Sequence, residues 1–231
     1  MPAPQDACLE TPMAAPARSP RHDPPRMTVA EFLAAPLAPG RRWELIDGAP
    51  VSQASPHKRH GALQGALVRH LGNALEGRHG RAGPCRPVTE AGIRTRLDPE
   101  HNYRVADIAV TCEPFGPDDP PWVEAPVLIV EILSPGQERE QRAKLHLFAA
   151  LPTVREILFL DSRAVRAELH RRAPDGGWPP APALLAGEEA VLRLETAGLE
   201  LPLARLYEGL GLEADLERDA AGEAADRADA D

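Results

Sequence analysis

Two acidic residues interrupt apolar stretches of the sequence, where a charged side chain is costly. Glu131 lies in the run of residues 127–133, and Asp107 lies in a similar run of residues 104–110. An unpaired charge in such a low-dielectric setting costs several kcal/mol, or the group takes up a proton and becomes neutral. A metal ion, a cationic side chain or a water channel must therefore compensate each carboxylate.

Two carboxylates on neighbouring strands would form an oxygen-rich site if they point to the same face. Mg²⁺ usually takes one or two carboxylates and keeps several of its waters, and such hard oxygen ligands also suit Mn²⁺. A lysine close by would orient an attacking water and offset the charge that develops on a phosphate. The residue types therefore predict metal-assisted phosphate chemistry, with Mg²⁺ or Mn²⁺ as the cofactor.

Strands are predicted around these acids from alternating, β-branched-rich stretches. Residues 125–133 are followed by a helical pattern and then by a further strand pattern at 154–161, and the first of these strands is apolar on both faces. Such a strand belongs to a sheet that is covered on both sides. The predicted strands are residues 88–97, 103–111, 127–133 and 156–160, with outer strands at 164–171 and 190–195.

Helices and a hairpin complete the predicted elements. Leucines recur every four residues from Leu63 to Leu75, which predicts a helix from residue 57 or 58 to 76, and residues 138–151 have a second helical pattern. Asp47-Gly48 predicts a hairpin near 42–54. Thr28 and Glu31 fit a capping box that opens a short helix. The sum is an α/β fold, a mixed sheet of about five or six strands flanked by helices.

The composition divides the 231 residues into one folded region and two tails. Residues 1–26 are rich in Pro and Ala, and residues 213–231 are acidic and carry a net charge of −6, so both tails are predicted to be disordered. The folded domain is expected over residues 27–212. The chain has a net charge of −9, but residues 57–81 have a local excess of four basic residues, which leaves a phosphate partner open.

The sequence also bears on compartment and redox state. The longest apolar run has five residues, far short of the roughly 20 that a membrane helix needs, and the N-terminus lacks the features of a secretory signal. No membrane partner is expected, and the predicted location is the cytoplasm. Cys8, Cys85 and Cys112 are widely spaced and form no CxxC pair, so all three are predicted to be reduced.

Six segments occur in an order and spacing that are typical of one family. They are WELIDG at 43–48, His60 at the start of the long helix, residues 104–110, VEILSP at 130–135, KLHLF at 144–148 and VREILFLD at 154–161. Through them, residues 27 to about 210 resemble the Uma-type restriction endonuclease family of the PD-(D/E)XK nuclease superfamily. The resemblance implies a restriction-endonuclease-like fold.

The resemblance also implies roles for individual residues. Asp107 and Glu131 match the two superfamily acids that hold the divalent metal and act in catalysis, and Glu44 matches a further family acid that joins them as a metal ligand. The superfamily lysine normally lies two residues after the second acid, where this chain has Leu133. In this family the lysine has moved to the following helix, where Lys144 matches it as the third catalytic residue.

Two further residues in the matching segments, His60 and Arg104, are predicted to bind the substrate. Some departures from the family pattern accompany the match. Ala106 replaces the usual Pro before the first acid, Glu140 replaces the usual Asp before the helical lysine, and the loop that follows Ser134 is one residue shorter. None of these changes removes a predicted ligand, although the shorter loop could displace the lysine.

The predicted function is that of a Mg²⁺-dependent endonuclease that hydrolyses DNA, with a homodimer as the default oligomer. The alternative is a non-catalytic binding or assembly protein on the same fold, which the net acidity favours.

Structural alternatives also exist for the single residues. Glu131 could pair with Arg104 or Lys144, Lys144 could pair with Glu140 on an exposed helix face, and Glu44 could pair with Arg41 or Arg42.

Overall fold

The computed structural model describes residues 26–80, 83–134, 136 and 138–212. Residues 1–25 of the predicted N-terminal tail, the whole predicted tail 213–231, and Cys8 lie outside the described residues. Ten strands, three α-helices and one 3₁₀ helix follow one another along the described chain. In chain order they are α1 (Val29–Ala34), β1 (Arg42–Ile46), β2 (Ala49–Gln53), α2 (Lys58–His79), β3 (Arg86–Arg94), β4 (Tyr103–Thr111), β5 (Pro126–Leu133), α3 (Glu138–Ala149), β6 (Glu156–Asp161), β7 (Arg166–Arg171), β8 (Ala183–Ala186), β9 (Val191–Leu194), β10 (Leu199–Pro202) and the 3₁₀ helix Leu203–Leu206.

Local sequence signals produce the first elements as predicted. The Thr28 hydroxyl accepts a hydrogen bond from the Glu31 amide at 3.2 Å, and the Glu31 carboxylate accepts one from the Thr28 amide at 2.7 Å, so the capping box of α1 is formed. Asp47 and Gly48 have φ angles of 48° and 82°. Two positive φ angles in a two-residue loop match the twist of the flanking strands, which explains the tight β1–β2 hairpin.

The main sheet has eight strands in the order β2-β1-β4-β5-β6-β7-β8, and β3 pairs with β4. The pairs are antiparallel apart from β5 and β6, which are parallel and joined by α3. This mixed α/β architecture confirms the predicted fold class. The prediction of about five or six strands was too low, in part because the short strand β8 has too little pattern of its own to be recognised. Strands β9 and β10 pair with each other in a separate two-stranded sheet.

Helices cover both faces of the sheet. On one face, four leucines of α2 are buried against a cluster that includes Ile108 and Val130. On the other face, Phe148 of α3 is fully buried against Ile129 and Phe159. Neighbouring residues of β4 and β5 therefore alternate between the two cores, as expected for a sheet covered on both sides.

Cys85 and Cys112 form a disulfide in the structure, so the prediction that these cysteines are reduced was wrong. The register of β3 and β4 pairs Arg86 with Thr111, which brings the residues just outside this pair opposite each other. Strand register is a long-range property, and the spacing of 27 residues between the two cysteines did not reveal it. Within the described residues, no helix has both the length and the apolar character needed to cross a membrane.

Candidate active site

A gap opens where β4 and β5 separate. Their ladder ends at the pair Ile108–Val130, and Asp107 and Glu131 are the next residue on each strand beyond this end. The charge of Asp107 helps to raise the pKa of Glu131, so the two carboxylates lie near each other in the gap. Because no registered pair joins them, their common face stays a prediction. Both side chains are fully buried. Asp107 Oδ2 accepts a hydrogen bond from the Ile132 amide at 2.7 Å, so a side chain takes the place of a ladder bond.

Asp107 is surrounded by cationic and polar groups from three elements. Arg42 Nη1 of β1 lies 2.8 Å from its Oδ1, and His60 Nε2 of α2 lies 3.3 Å from the same oxygen. Burial on its own would raise the pKa of Asp107, but His60, Arg42 and the Ile132 amide together lower it. Asp107 is therefore held as a carboxylate.

Glu131 has a different environment, and its contacts come chiefly from Lys144. Lys144 Nζ lies 3.4 Å from Glu131 Oε1, whereas Glu131 Oε2 has no hydrogen-bond partner among the described residues. Burial raises the pKa of Glu131 to about 8, and the nearby charges of Asp107 and Glu44 act in the same direction against that of Lys144. Without a further cation, Glu131 is therefore mostly protonated at neutral pH.

Lys144 reaches the gap from α3 and is only 3% exposed. Besides Glu131, its Nζ contacts Glu44 Oε1 at 2.7 Å and the Val105 carbonyl oxygen at 3.0 Å. Burial would lower the pKa of Lys144, but the charges of Glu131 and Glu44 raise it, so the side chain remains an ammonium. The exposed pair with Glu140 is not formed, and the shorter loop after β5 does not keep Lys144 from the gap.

Glu44 is fully buried and lies on the Lys144 side of the gap. Its Oε1 also accepts a hydrogen bond from the Val105 amide at 3.0 Å, and its Oε2 lies 3.4 Å from Arg104 Nη1. The cationic partners of Glu44 are thus Lys144 and Arg104 rather than Arg41 or Arg42.

The structure brings all the predicted site residues to one place. They form two neighbouring groups: His60 contacts Asp107, and Lys144 and Arg104 contact Glu44 and Glu131 in the combinations given above. The charge of Asp107 acts on Glu131, so the two groups are adjacent. His60 is buried, and its Nδ1 lies 3.3 Å from the Ser134 hydroxyl. It does not cap α2, because the N-cap position is occupied by His57, which makes no side-chain capping bond.

Sequence reasoning missed Glu90 and Gln64, and it considered Arg42 only as a partner of Glu44. Glu90 accepts hydrogen bonds from Arg42 Nη1 at 2.9 Å and from Gln64 Nε2 at 3.0 Å. Gln64 also donates to the Asp107 carbonyl oxygen at 2.7 Å. Arg42 begins β1, Glu90 is exposed and Gln64 is half-buried on α2, and polar side chains are common at such positions and give no signal.

Gln141 is a further missed residue, and it fixes the end of β5. Its amide nitrogen donates to the Ile132 carbonyl at 2.8 Å, and its amide oxygen accepts from the Ser134 amide at 3.0 Å. The spacing of three residues between Gln141 and Lys144 places both on one face of α3, and this polar pair could have indicated the site.

The gap has the composition of a hard-cation site. Within the described residues, no three His, Cys, Asp or Glu side chains are grouped so as to hold a metal by themselves. Mg²⁺ needs only one or two carboxylates, however, and Asp107 and Glu131 supply two, one with a buried oxygen that lacks a partner. When all the acids are ionised, four carboxylates (Glu44, Glu90, Asp107 and Glu131) face three permanent cations (Arg42, Arg104 and Lys144). The residues therefore fit a divalent cation.

Comparisons with known proteins agree with this architecture. An uncharacterized protein of Synechocystis sp. is 27% identical to this chain over 197 residues, an alignment that covers 84% of this chain and 98% of that protein. The crystal structure described as a putative nuclease belonging to DUF820, from Anabaena variabilis, superposes with a TM-score of 0.59 at 20% identity, covering 78% of this chain and 97% of that one. This second similarity shows a shared fold.

The family comparison covers most of the described domain and includes every predicted site residue. Residues 29–204 match the model of the Uma2 family, which is described as "Putative restriction endonuclease". The matched segment extends from the start of α1 into the 3₁₀ helix, so it includes both carboxylate-bearing strands and the lysine-bearing helix. The chain belongs to the Uma2 family.

Proposed function

We propose that this protein is a divalent-metal-dependent endonuclease that hydrolyses DNA phosphodiester bonds. One observation carries the proposal: two buried carboxylates, Asp107 and Glu131, lie near each other just beyond the end of the β4–β5 ladder, beside a buried lysine. A structural role alone would not require two acids in one core, since burying charges usually costs more than it returns. The family and the nuclease-like fold support the same conclusion.

Asp107 and Glu131 would hold the metal, with Mg²⁺ as the expected ion and Mn²⁺ as its substitute. A bound ion of this kind polarises a phosphate oxygen and lowers the pKa of a water molecule. Asp107 is prepared for this role because the Ile132 amide fixes one of its oxygens. Glu131 must lose a proton first, because its pKa in the metal-free protein is about 8.

Lys144 would position the attacking water and offset negative charge on the phosphate. Its ammonium lies between Glu44 and Glu131, so in this proposal Glu44 chiefly holds the lysine in position. The family resemblance also predicts that Glu44 contacts the metal directly, and this stays a prediction.

His60 and Arg104 would bind the DNA backbone. Nε of Arg104 is buried and lacks a hydrogen-bond partner among the described residues, whereas His60 Nε2 lies 3.3 Å from Asp107 Oδ1. Buried donors in native proteins nearly always have a partner, so Arg104 Nε is suited to donate to a phosphate oxygen. The role proposed for His60 rests on its place in the matching family segment.

A nuclease assay on protein purified without metal tests the proposal. Plasmid, single-stranded DNA and RNA are incubated with wild type, the double variant Asp107→Asn plus Glu131→Gln, and the control Glu200→Gln, which changes an exposed acid of β10. Cleavage of DNA by wild type and by the control in Mg²⁺, lost in EDTA and in the double variant, is the expected result.

Equal cleavage by the double variant would overturn the assignment of the site. Thermal melting separates the remaining alternative, because a metal that binds the native state must raise the melting midpoint. Absence of both cleavage and a Mg²⁺-dependent shift would favour the non-catalytic binding or assembly protein.

A further inference from the structure

One nitrogen of Arg42 lies between two carboxylates. Its Nη1 is 2.8 Å from Asp107 Oδ1 and 2.9 Å from Glu90 Oε2. The guanidinium therefore occupies an oxygen of the residue that the proposed function assigns to the metal.

The backbone of β3 is distorted so that Glu90 can reach this place. The β3–β4 ladder is regular on both sides, with Thr89 opposite Ile108 and Ala91 opposite Ala106, but the pair between them is missing. Glu90 fills that position with a φ of 48°, a conformation that costs a non-glycine residue free energy. Strain of this kind persists where the surrounding contacts require it, which here are the bonds from Arg42 and Gln64.

We propose that Arg42 is an internal cation that neutralises Asp107 in the metal-free protein and transfers to Glu90 when a divalent cation binds. Glu90 is then a positioning residue that makes room for the metal without being its ligand. This inference rests on the metal site of the proposed function.

The contacts of Arg42 and Glu90 favour such a transfer. A guanidinium and a divalent cation repel each other at the same carboxylate oxygen, so arrival of the cation weakens the contact of Arg42 with Asp107. Arg42 Nη1 already contacts Glu90, and its buried Nε has no partner among the described residues that would hold the guanidinium in place. The Glu90 side chain is 45% exposed, whereas that of Asp107 is fully buried, so water can solvate the new pair.

Gln64 holds the Glu90 carboxylate in an orientation in which it can accept a hydrogen bond from Arg42. Its amide nitrogen donates to Glu90 Oε1 at 3.0 Å and to the Asp107 carbonyl at 2.7 Å, which leaves Glu90 Oε2 directed at Arg42. Asp107 also keeps its orientation without the arginine, because the Ile132 amide binds its other oxygen.

Mn²⁺ binding to metal-free protein, measured by electron paramagnetic resonance and by titration calorimetry, tests the inference without reference to cleavage. The variants are Arg42→Gln, Glu90→Gln and their combination, with the exposed Arg205→Gln as a control and thermal melting as a check on folding. Arg42→Gln should tighten Mn²⁺ binding by about tenfold, the effect of roughly one charge contact. Glu90→Gln should weaken it several-fold in the wild-type background and have little effect once Arg42 is replaced.

The outcomes separate this inference from the proposed function. Equal affinity of wild type and Arg42→Gln would overturn the inference and leave the metal site intact. An equal loss on Glu90→Gln in both backgrounds would overturn it as well, because Glu90 would then be a direct ligand. Binding by Arg42→Gln but not by wild type would support it, and absence of binding in both would reject the metal site together with the inference.

Discussion

Glu131 should make the metal-free protein less stable as the pH rises, and Glu131→Gln should remove this dependence. The folded protein holds the Glu131 proton up to a pH of about 8, whereas the ordinary pKa of the side chain is 4.5. An acid whose pKa is raised by folding contributes stability that is complete below the unfolded value and is lost as the pH rises to the folded value. Glutamine resembles the protonated acid at every pH.

The size of this stability loss follows from the interval between the ordinary pKa of 4.5 and the folded pKa of about 8. Within it, each pH unit changes the free energy of unfolding by about 1.4 kcal/mol per proton. Between pH 5.5 and pH 7, wild type should therefore lose about 2 kcal/mol relative to Glu131→Gln. The side chain is fully buried, so solvent screening does not reduce this figure.

Urea unfolding in EDTA at several pH values between 5.5 and 7 measures the difference. Glu200→Gln serves as the control, because Glu200 is exposed and its pKa is lowered by Arg193, so it stays ionised throughout this interval. The reasoning is refuted if the stability difference between wild type and Glu131→Gln does not change with pH, because Glu131 would then be ionised in the folded metal-free protein.

Three further predictions concern the disulfide, the lysine and the cap of α1. Replacing Cys85 and Cys112 together by Ala opens a cross-link between residues 27 positions apart and should lower the free energy of unfolding by about 3 kcal/mol, measured in urea; an unchanged midpoint would contradict it. Lys144→Met removes the ammonium that contacts Glu44 at 2.7 Å and should destabilise the protein in EDTA by about 3 kcal/mol; equal melting of variant and wild type would argue against this buried ion pair. Thr28→Ala removes the capping bond to the Glu31 amide and should cost about 1 kcal/mol, whereas Thr28→Ser should cost less in the same urea experiment.

The sequence predicted those parts of the fold that depend on local signals. The hairpin at Asp47-Gly48, the leucine pattern of α2 and strand β4 were found at nearly the right residues because turn chemistry and side-chain periodicity act within a few positions. Features that depend on pairing between distant segments were missed. The β8 and β10 strands, the break in the ladder at Glu90 and the bond between Cys85 and Cys112 all follow from register, which no local pattern determines.

The candidate site was predictable only in its most anomalous members. Asp107 and Glu131 were noticeable because they interrupt apolar strands, and the structure buries both. The position of Lys144 came from the family resemblance, since its spacing from Glu140 fits an exposed helical ion pair equally well. Arg42 was considered as a partner of the wrong acid because two acids lie within its reach only after β1, β3 and β4 have come together.

The distribution of unsatisfied polar atoms favours a ligand at this gap over a purely structural cluster. Apart from His60 Nε2, which lies 3.3 Å from Asp107 Oδ1, four buried side-chain polar atoms lack a hydrogen-bond partner among the described residues, and three of them belong to Arg42, Arg104 and Glu131. A cluster that serves only stability should satisfy its own donors and acceptors, since each unpaired group costs about 1–3 kcal/mol. Two of these three atoms are donors suited to an anion and one is an acceptor suited to a cation. A phosphate together with a metal ion would satisfy both kinds at once, whereas a binding protein that recognises its partner elsewhere would leave all three without a purpose.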